Sequence, residues 1–130
     1  MIGIFLLTHG ALGEALIDTA IHVLGARPLQ LDSLGLLSQD SPDALVALAK
    51  EKIAAIDTGE GVLVLSDILG ASPANLACKL LSPPHIEGVF GLNLPMLLRA
   101  LTYRHEAMAS LLQKTLDGGL AGVCQMNHSE

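Results

Sequence analysis

His9 stands at a junction suited to chemistry: the apolar run of residues 2–7 ends just before it, and a helix-periodic pattern opens at Ala11. An imidazole placed there lies at the carboxyl end of a strand, beside backbone N–H groups of a first helical turn that favour an anion. Asp67 closes a second strand-like run, residues 62–65 followed by Ser66. If the two strands are neighbours, its carboxylate accepts a hydrogen bond from one ring nitrogen of His9 and leaves the other as a lone pair. A neutral imidazole held in that way is a usable nucleophile, and the carboxylate also stabilises the ring once it becomes cationic. Ser72, before Pro73 at another helix start, adds a hydroxyl and further amides, while Gly10 and Gly13 allow a bulky anion to approach. Phosphoryl transfer depends on these parts, being governed by positioning and charge stabilisation. Taken singly, His9 could be a packing residue, Asp67 a turn or capping residue and Ser72 a plain N-cap. Their convergence on one edge favours the chemical reading.

Two rival motifs are incomplete. Gly10-Ala11-Leu12-Gly13 is a fragment of a dinucleotide fingerprint, leaving a small nucleotide-binding domain as the weakest of three readings. In Gly70-Ala71-Ser72-Pro73-Ala74 the final glycine of a hydrolase elbow is missing, and Pro73 removes an oxyanion-hole N–H. His22, His85, His105 and His128 read as solvated or structural, and no pair of them has metal-site spacing. Cys78 and Cys124 read as buried thiols, with neither metal-ligand nor disulfide-scaffold spacing.

The elements that must position these residues alternate. After the first strand, Leu12, Ala15, Leu16, Ala20, Val23 and Leu24 recur at helical spacing up to Gly25. Residues 29–36 form a weaker strand. Ser41-Pro42 caps a second helix running to about Ile56, and residues 57–61 form a turn into the third strand. Ser72-Pro73 opens a short helix stopped by Ser82-Pro83-Pro84, residues 86–92 give a fourth strand, and Asn93-Leu94-Pro95 turns into a helix through Leu101. Another helix is expected over residues 108–116 and a last short strand over 120–126. Short connections between alternating strands and helices imply an α/β fold with a mainly parallel sheet and helices on both faces. Ligands in such sheets bind beyond the carboxyl ends of the strands, the edge that carries His9, Asp67 and Asn93.

Composition narrows the function classes. At 130 residues, 51% apolar and 15% charged, the chain reads as one folded domain over residues 1–130. A formal charge of −6 without any basic run argues against nucleic acid. No apolar stretch reaches the roughly 18 residues of a membrane span, and residues 1–7 lack the cationic lead of a signal peptide, so a cytoplasmic protein is expected.

Three blocks in this order resemble a known family: Thr8-His9-Gly10 after the first strand, Ser66-Asp67 with Gly70-Ala71-Ser72-Pro73-Ala74-Asn75 after the third, and Gly91-Leu92-Asn93-Leu94-Pro95-Met96 after the fourth. The chain is similar to the IIA component of the mannose-type phosphoenolpyruvate-dependent sugar phosphotransferase system over nearly its whole length. That resemblance implies a phosphotransferase with no cofactor or metal. His9 would accept a phosphoryl group from the phosphocarrier HPr and pass it to a IIB component, which is expected on a separate polypeptide because the chain ends soon after the last strand. It further implies that Asp67 orients the ring and that Thr8, Gly10, Gly70, Ala71 and Ser72 line the phosphate site. It also implies a homodimer, a four-stranded parallel sheet completed by a C-terminal antiparallel strand at the subunit interface, and membrane contact only through a permease complex. Ala71 replaces the second glycine of the usual Gly-Gly pair, and alanine lacks glycine's freedom at positive φ. A regulatory module, in which the phosphorylation state of His9 switches partner binding without sugar transport, is the alternative.

Overall fold

The computed structural model describes residues 1–37, 40–67 and 72–127, without the side chains of residues 72–74. The chain alternates β1 (Gly3–His9), α1 (Leu12–Leu24), β2 (Leu31–Leu36), α2 (Pro42–Ile56), β3 (Val62–Ser66), α3 (Ser72–Leu80) and β4 (Ile86–Phe90). It then continues into α4 (Leu94–Tyr103) and α5 (Met108–Ala121). The four strands form one parallel sheet in the order β2-β1-β3-β4.

The apolar runs follow from that order. β1 and β3 are central, so both of their faces are covered, and Ile4, Phe5, Leu6, Leu7, Leu63 and Leu65 are completely buried. Successive side chains point to opposite faces. Ile4, Leu6, Leu63 and Leu65 pack with Ile17 of α1, Leu97 of α4 and Leu111 of α5, whereas Phe5, Leu7 and Val64 pack with Ile53 of α2 and Leu76 of α3. The result is three layers, α/β/α, with His9 projecting on the α2/α3 side of the sheet's carboxyl edge.

Helix ends follow the expected signals in part. Gly25 closes α1 in the left-handed conformation at φ 89°, and its N–H bonds the carbonyl of Ile21. Ser41 and Asn93 occupy the N-cap positions of α2 and α4, with proline in the first turn of each, and Asn93 accepts a hydrogen bond from the Met96 N–H.

Three expectations are corrected. The segment expected as a strand over residues 120–126 starts later than expected: α5 continues through Ala121, and residues 123–127 pair with none of the four strands of the same chain. Its Gly118-Gly119 pair is a close-packed helical seam, for a Cβ on Gly118 would come within 2.6 Å of Arg99 Cβ and one on Gly119 within 2.6 Å of Met96 Cε. Cys78 and Cys124 are exposed, because Cys78 falls on the outer face of α3 and Cys124 lies beyond α5. Gly13 serves packing instead of anion approach, since a Cβ there would lie 3.2 Å from both Ser33 Cβ and Thr8 Oγ1.

Candidate functional site

β1 and β3 are hydrogen-bonded neighbours with Leu7 opposite Ser66, so the residues that follow them, His9 and Asp67, emerge side by side. Asp67 Oδ2 lies 2.9 Å from His9 Nδ1 and also accepts the His9 backbone N–H at 3.1 Å. One carboxylate oxygen thereby fixes both the backbone and the ring of the histidine. The Asp67 side chain is only 7% exposed and the His9 side chain 48% exposed. The carboxylate sits in a weakly screened setting while the ring faces solvent. With Nδ1 donating to Asp67, the tautomer that remains has its lone pair on Nε2.

The turn after His9 is built from close backbone contacts. Gly10 adopts φ 48°, and its N–H bonds the carbonyl of Leu36 on β2. A Cβ on Gly10 would meet open space, but one on Gly35 would fall 1.8 Å from the Gly10 carbonyl oxygen. Gly35 therefore lets the His9-Gly10 turn lie flat on β2, a role that no motif in the sequence announced. Thr8 is fully buried, and its hydroxyl accepts the Gly13 N–H at 2.9 Å. It thus ties β1 to the first turn of α1 on the face opposite His9.

Of the other residues singled out by sequence, Ser72 is the first residue of α3, the helix that follows β3, and its side chain lies outside the described residues. Gly70 and Ala71 lie outside them altogether. Ser66 adds a feature that sequence reasoning missed: its hydroxyl is buried at the end of β3 with no hydrogen-bond partner.

A second histidine–aspartate pair occupies the opposite, amino edge of the sheet. His85 Nε2 lies 2.6 Å from Asp57 Oδ2, while Asp57 Oδ1 accepts the N–H groups of Gly59 and Gly61. Burial on its own would raise the Asp57 carboxyl, but the Gly59 N–H, the His85 ring and the Gly61 N–H outweigh it and hold the group below its ordinary value. This pair clamps the turn before β3 to the start of β4, which agrees with the structural reading of His85. Among the described residues, no cluster of three or more His, Cys, Asp or Glu side chains could hold a metal ion. Within the same residues, no helix is long and apolar enough to cross a membrane.

Fold and site together define a parallel α/β protein with a solvent-facing, carboxylate-held histidine at the sheet's carboxyl edge. The chain belongs to the EIIA-man family, the PTS system fructose IIA component, whose sequence model matches residues 3–116. It is 30% identical over 125 residues to the PTS system mannose-specific EIIAB component of Escherichia coli K12, covering 94% of this chain but only 38% of that relative. Its fold is shared with the phosphotransferase system component EIIA of Streptococcus agalactiae, at a TM-score of 0.84, 22% identity and coverage of 96% of this chain and 97% of the other. The mannose/sorbose-specific IIA subunit of Enterococcus faecalis gives a TM-score of 0.83 at 24% identity, with 99% and 97% covered.

Proposed function

We propose that this chain is a cytoplasmic phosphocarrier that accepts a phosphoryl group on His9 Nε2 from phospho-HPr and delivers it to a IIB component. The observation that carries this reading is the paired contact of Asp67 Oδ2 with His9 Nδ1 and the His9 N–H. In the transfer, the Nε2 lone pair forms a new N–P bond in line with the breaking N–P bond of the donor phosphohistidine. The electron pair of the broken bond returns to the donor imidazole. The proton on His9 Nδ1 stays in its hydrogen bond to Asp67, and that carboxylate offsets the positive charge developing on the ring. Delivery to IIB is the same step in reverse, so the group moves both ways without another reactant. The open space beside Gly10 suits the bulk of a phosphoryl group, and the start of α3 at Ser72 supplies helix N-terminal amides on the same edge.

Membership of the family supports this assignment, since its IIA model matches residues 3–116. Homodimerisation belongs to the same proposal: Leu120, Val123 and Met126 are 76%, 78% and 96% exposed and offer an apolar surface to a second copy. Incubation with phosphoenolpyruvate, enzyme I and HPr should label the chain with one phosphoryl group, and His9→Ala should abolish labelling. Unlabelled protein in the presence of demonstrably phosphorylated HPr overturns the proposal.

A further inference from the structure

The sheet has two edges, and the chain treats them differently. β2 lies at one of them and pairs with β1 alone. Residues 29–37, which contain it, hold five leucines, no proline and, in Asp32, a single charge. Leu29 and Leu37 at the ends of this stretch are 73% and 55% exposed. An apolar, nearly uncharged strand at a sheet edge is a template for pairing with another chain. The Ile4 N–H bonds the Gln30 carbonyl and the Gly10 N–H bonds the Leu36 carbonyl, so the even-numbered residues of β2 turn their backbone groups towards β1. Those of Leu31, Ser33 and Gly35 turn outwards. Side chains of the same chain occupy two of these outward groups: Arg27 donates a guanidinium N–H to the Leu31 carbonyl at 3.1 Å, and Asp32 Oδ1 accepts the Ser33 N–H at 2.8 Å. The Leu31 carbonyl and the Ser33 N–H flank Asp32 and are the pair that one residue of an added parallel strand would bond. Lys52 Nζ lies 3.4 Å from Asp32 Oδ2 and steadies the carboxylate. Just past the strand, Asp40 Oδ2 accepts the Leu37 N–H at 2.8 Å. At the opposite edge, Ile86 exchanges two backbone bonds with Ser82, and among the described residues no side chain bonds the backbone of Gly88 or Phe90.

We propose that Arg27 and Asp32 guard the β2 edge, their side chains denying its backbone to a strand from a second copy of this chain. A sheet with two open edges can pass strands from copy to copy without closing, which gives an open assembly; covering β2 removes one end of that chain of contacts. Each guarding contact replaces a bond to water at the protein surface and adds little to the stability of a single copy. Losing the contacts therefore acts on association, not on folding.

The test is sedimentation velocity of the full chain carrying Arg27→Ala and Asp32→Ala together, over a wide concentration range, with amide hydrogen exchange to locate the contact. The weight-average mass of this double variant should rise to about twice that of the parent or more as concentration increases. In the assembled species the Ser33 and Gly35 amides should become protected. Asp32→Asn alone keeps an oxygen for the Ser33 N–H and should sediment as the parent does. Arg27 is exposed and Asp32 partly so, and unchanged exchange at Leu6 and Leu65, which are completely buried, verifies that the variants are folded. A double variant with the parent's mass at every concentration, association that leaves Ser33 and Gly35 unprotected, or Asp32→Asn associating as strongly as the double variant overturns the proposal.

Discussion

Replacing Asp67 with alanine removes the group on which the proposed chemistry turns, and the structure allows the size of the effect to be worked out. The carboxylate makes two contacts with His9, 3.1 Å to the backbone N–H and 2.9 Å to Nδ1. The backbone contact is equally present before and during transfer, so its loss lowers stability and leaves the barrier alone. The ring contact strengthens as Nε2 bonds to phosphorus and positive charge appears on the imidazole. A hydrogen bond to a charged partner contributes about 1.5–3 kcal/mol. With Asp67 only 7% exposed, solvent screens little of it. The transfer rate should therefore fall by about ten- to a hundredfold, while the KM for phospho-HPr stays near the parent value because Asp67 lies behind the ring. Rapid-quench measurement of labelled phosphoryl transfer from phospho-HPr separates the two quantities. A folded Asp67→Ala variant that transfers phosphoryl as fast as the parent would refute this reasoning.

Other substitutions probe the scaffold. Ser66→Ala removes a buried hydroxyl without a partner and should leave stability unchanged or raise it by about 1 kcal/mol in urea unfolding; a clear loss would mean that the hydroxyl is paired. Thr8→Val deprives the Gly13 N–H of its acceptor and should cost about 1–2 kcal/mol by the same measurement, with equal stability counting against the capping role. Gly35→Ala would force a methyl group into the Gly10 carbonyl oxygen, so the expected result is a destabilised protein with slowed labelling of His9, and a neutral outcome would show that the turn can move freely. The Asp57 carboxyl is held below its ordinary value, so its contribution to stability is complete above the unfolded-state value and disappears as pH falls through the lower folded-state value. His85→Ala removes one of the groups lowering it and should shift the acid limb of the stability–pH curve to higher pH, which pH-dependent denaturation can read.

Much of the architecture is legible in the residues because two-sided burial leaves a mark: β1 and β3 read as unbroken apolar runs, and proline-marked helix starts at Ser41 and Asn93 divide the chain correctly. The neighbour relation of β1 and β3, on which the His9–Asp67 contact depends, is a matter of sheet order that no local pattern encodes. The end of α5 is hard to read because Leu120 and Ala121 share small and apolar composition with a short strand, while the glycines before them serve close contact between α4 and α5. Gly35 and the capping contact of Thr8, which the resemblance placed at the phosphate site, are hidden for a related reason: each acts through a single contact with a residue on another element, Thr8 with Gly13 and Gly35 with Gly10. Cys78 was misjudged because the general tendency of free thiols to be buried was overruled by its position on the outer face of α3.

The most direct test of the phosphocarrier role is to determine which imidazole nitrogen of His9 carries the phosphoryl group, by phosphorus–nitrogen coupling in protein labelled at the histidine ring nitrogens. With Nδ1 engaged by Asp67, phosphorus should couple to Nε2 of His9 alone. Phosphorus bonded to Nδ1, or to any residue other than His9, would contradict it.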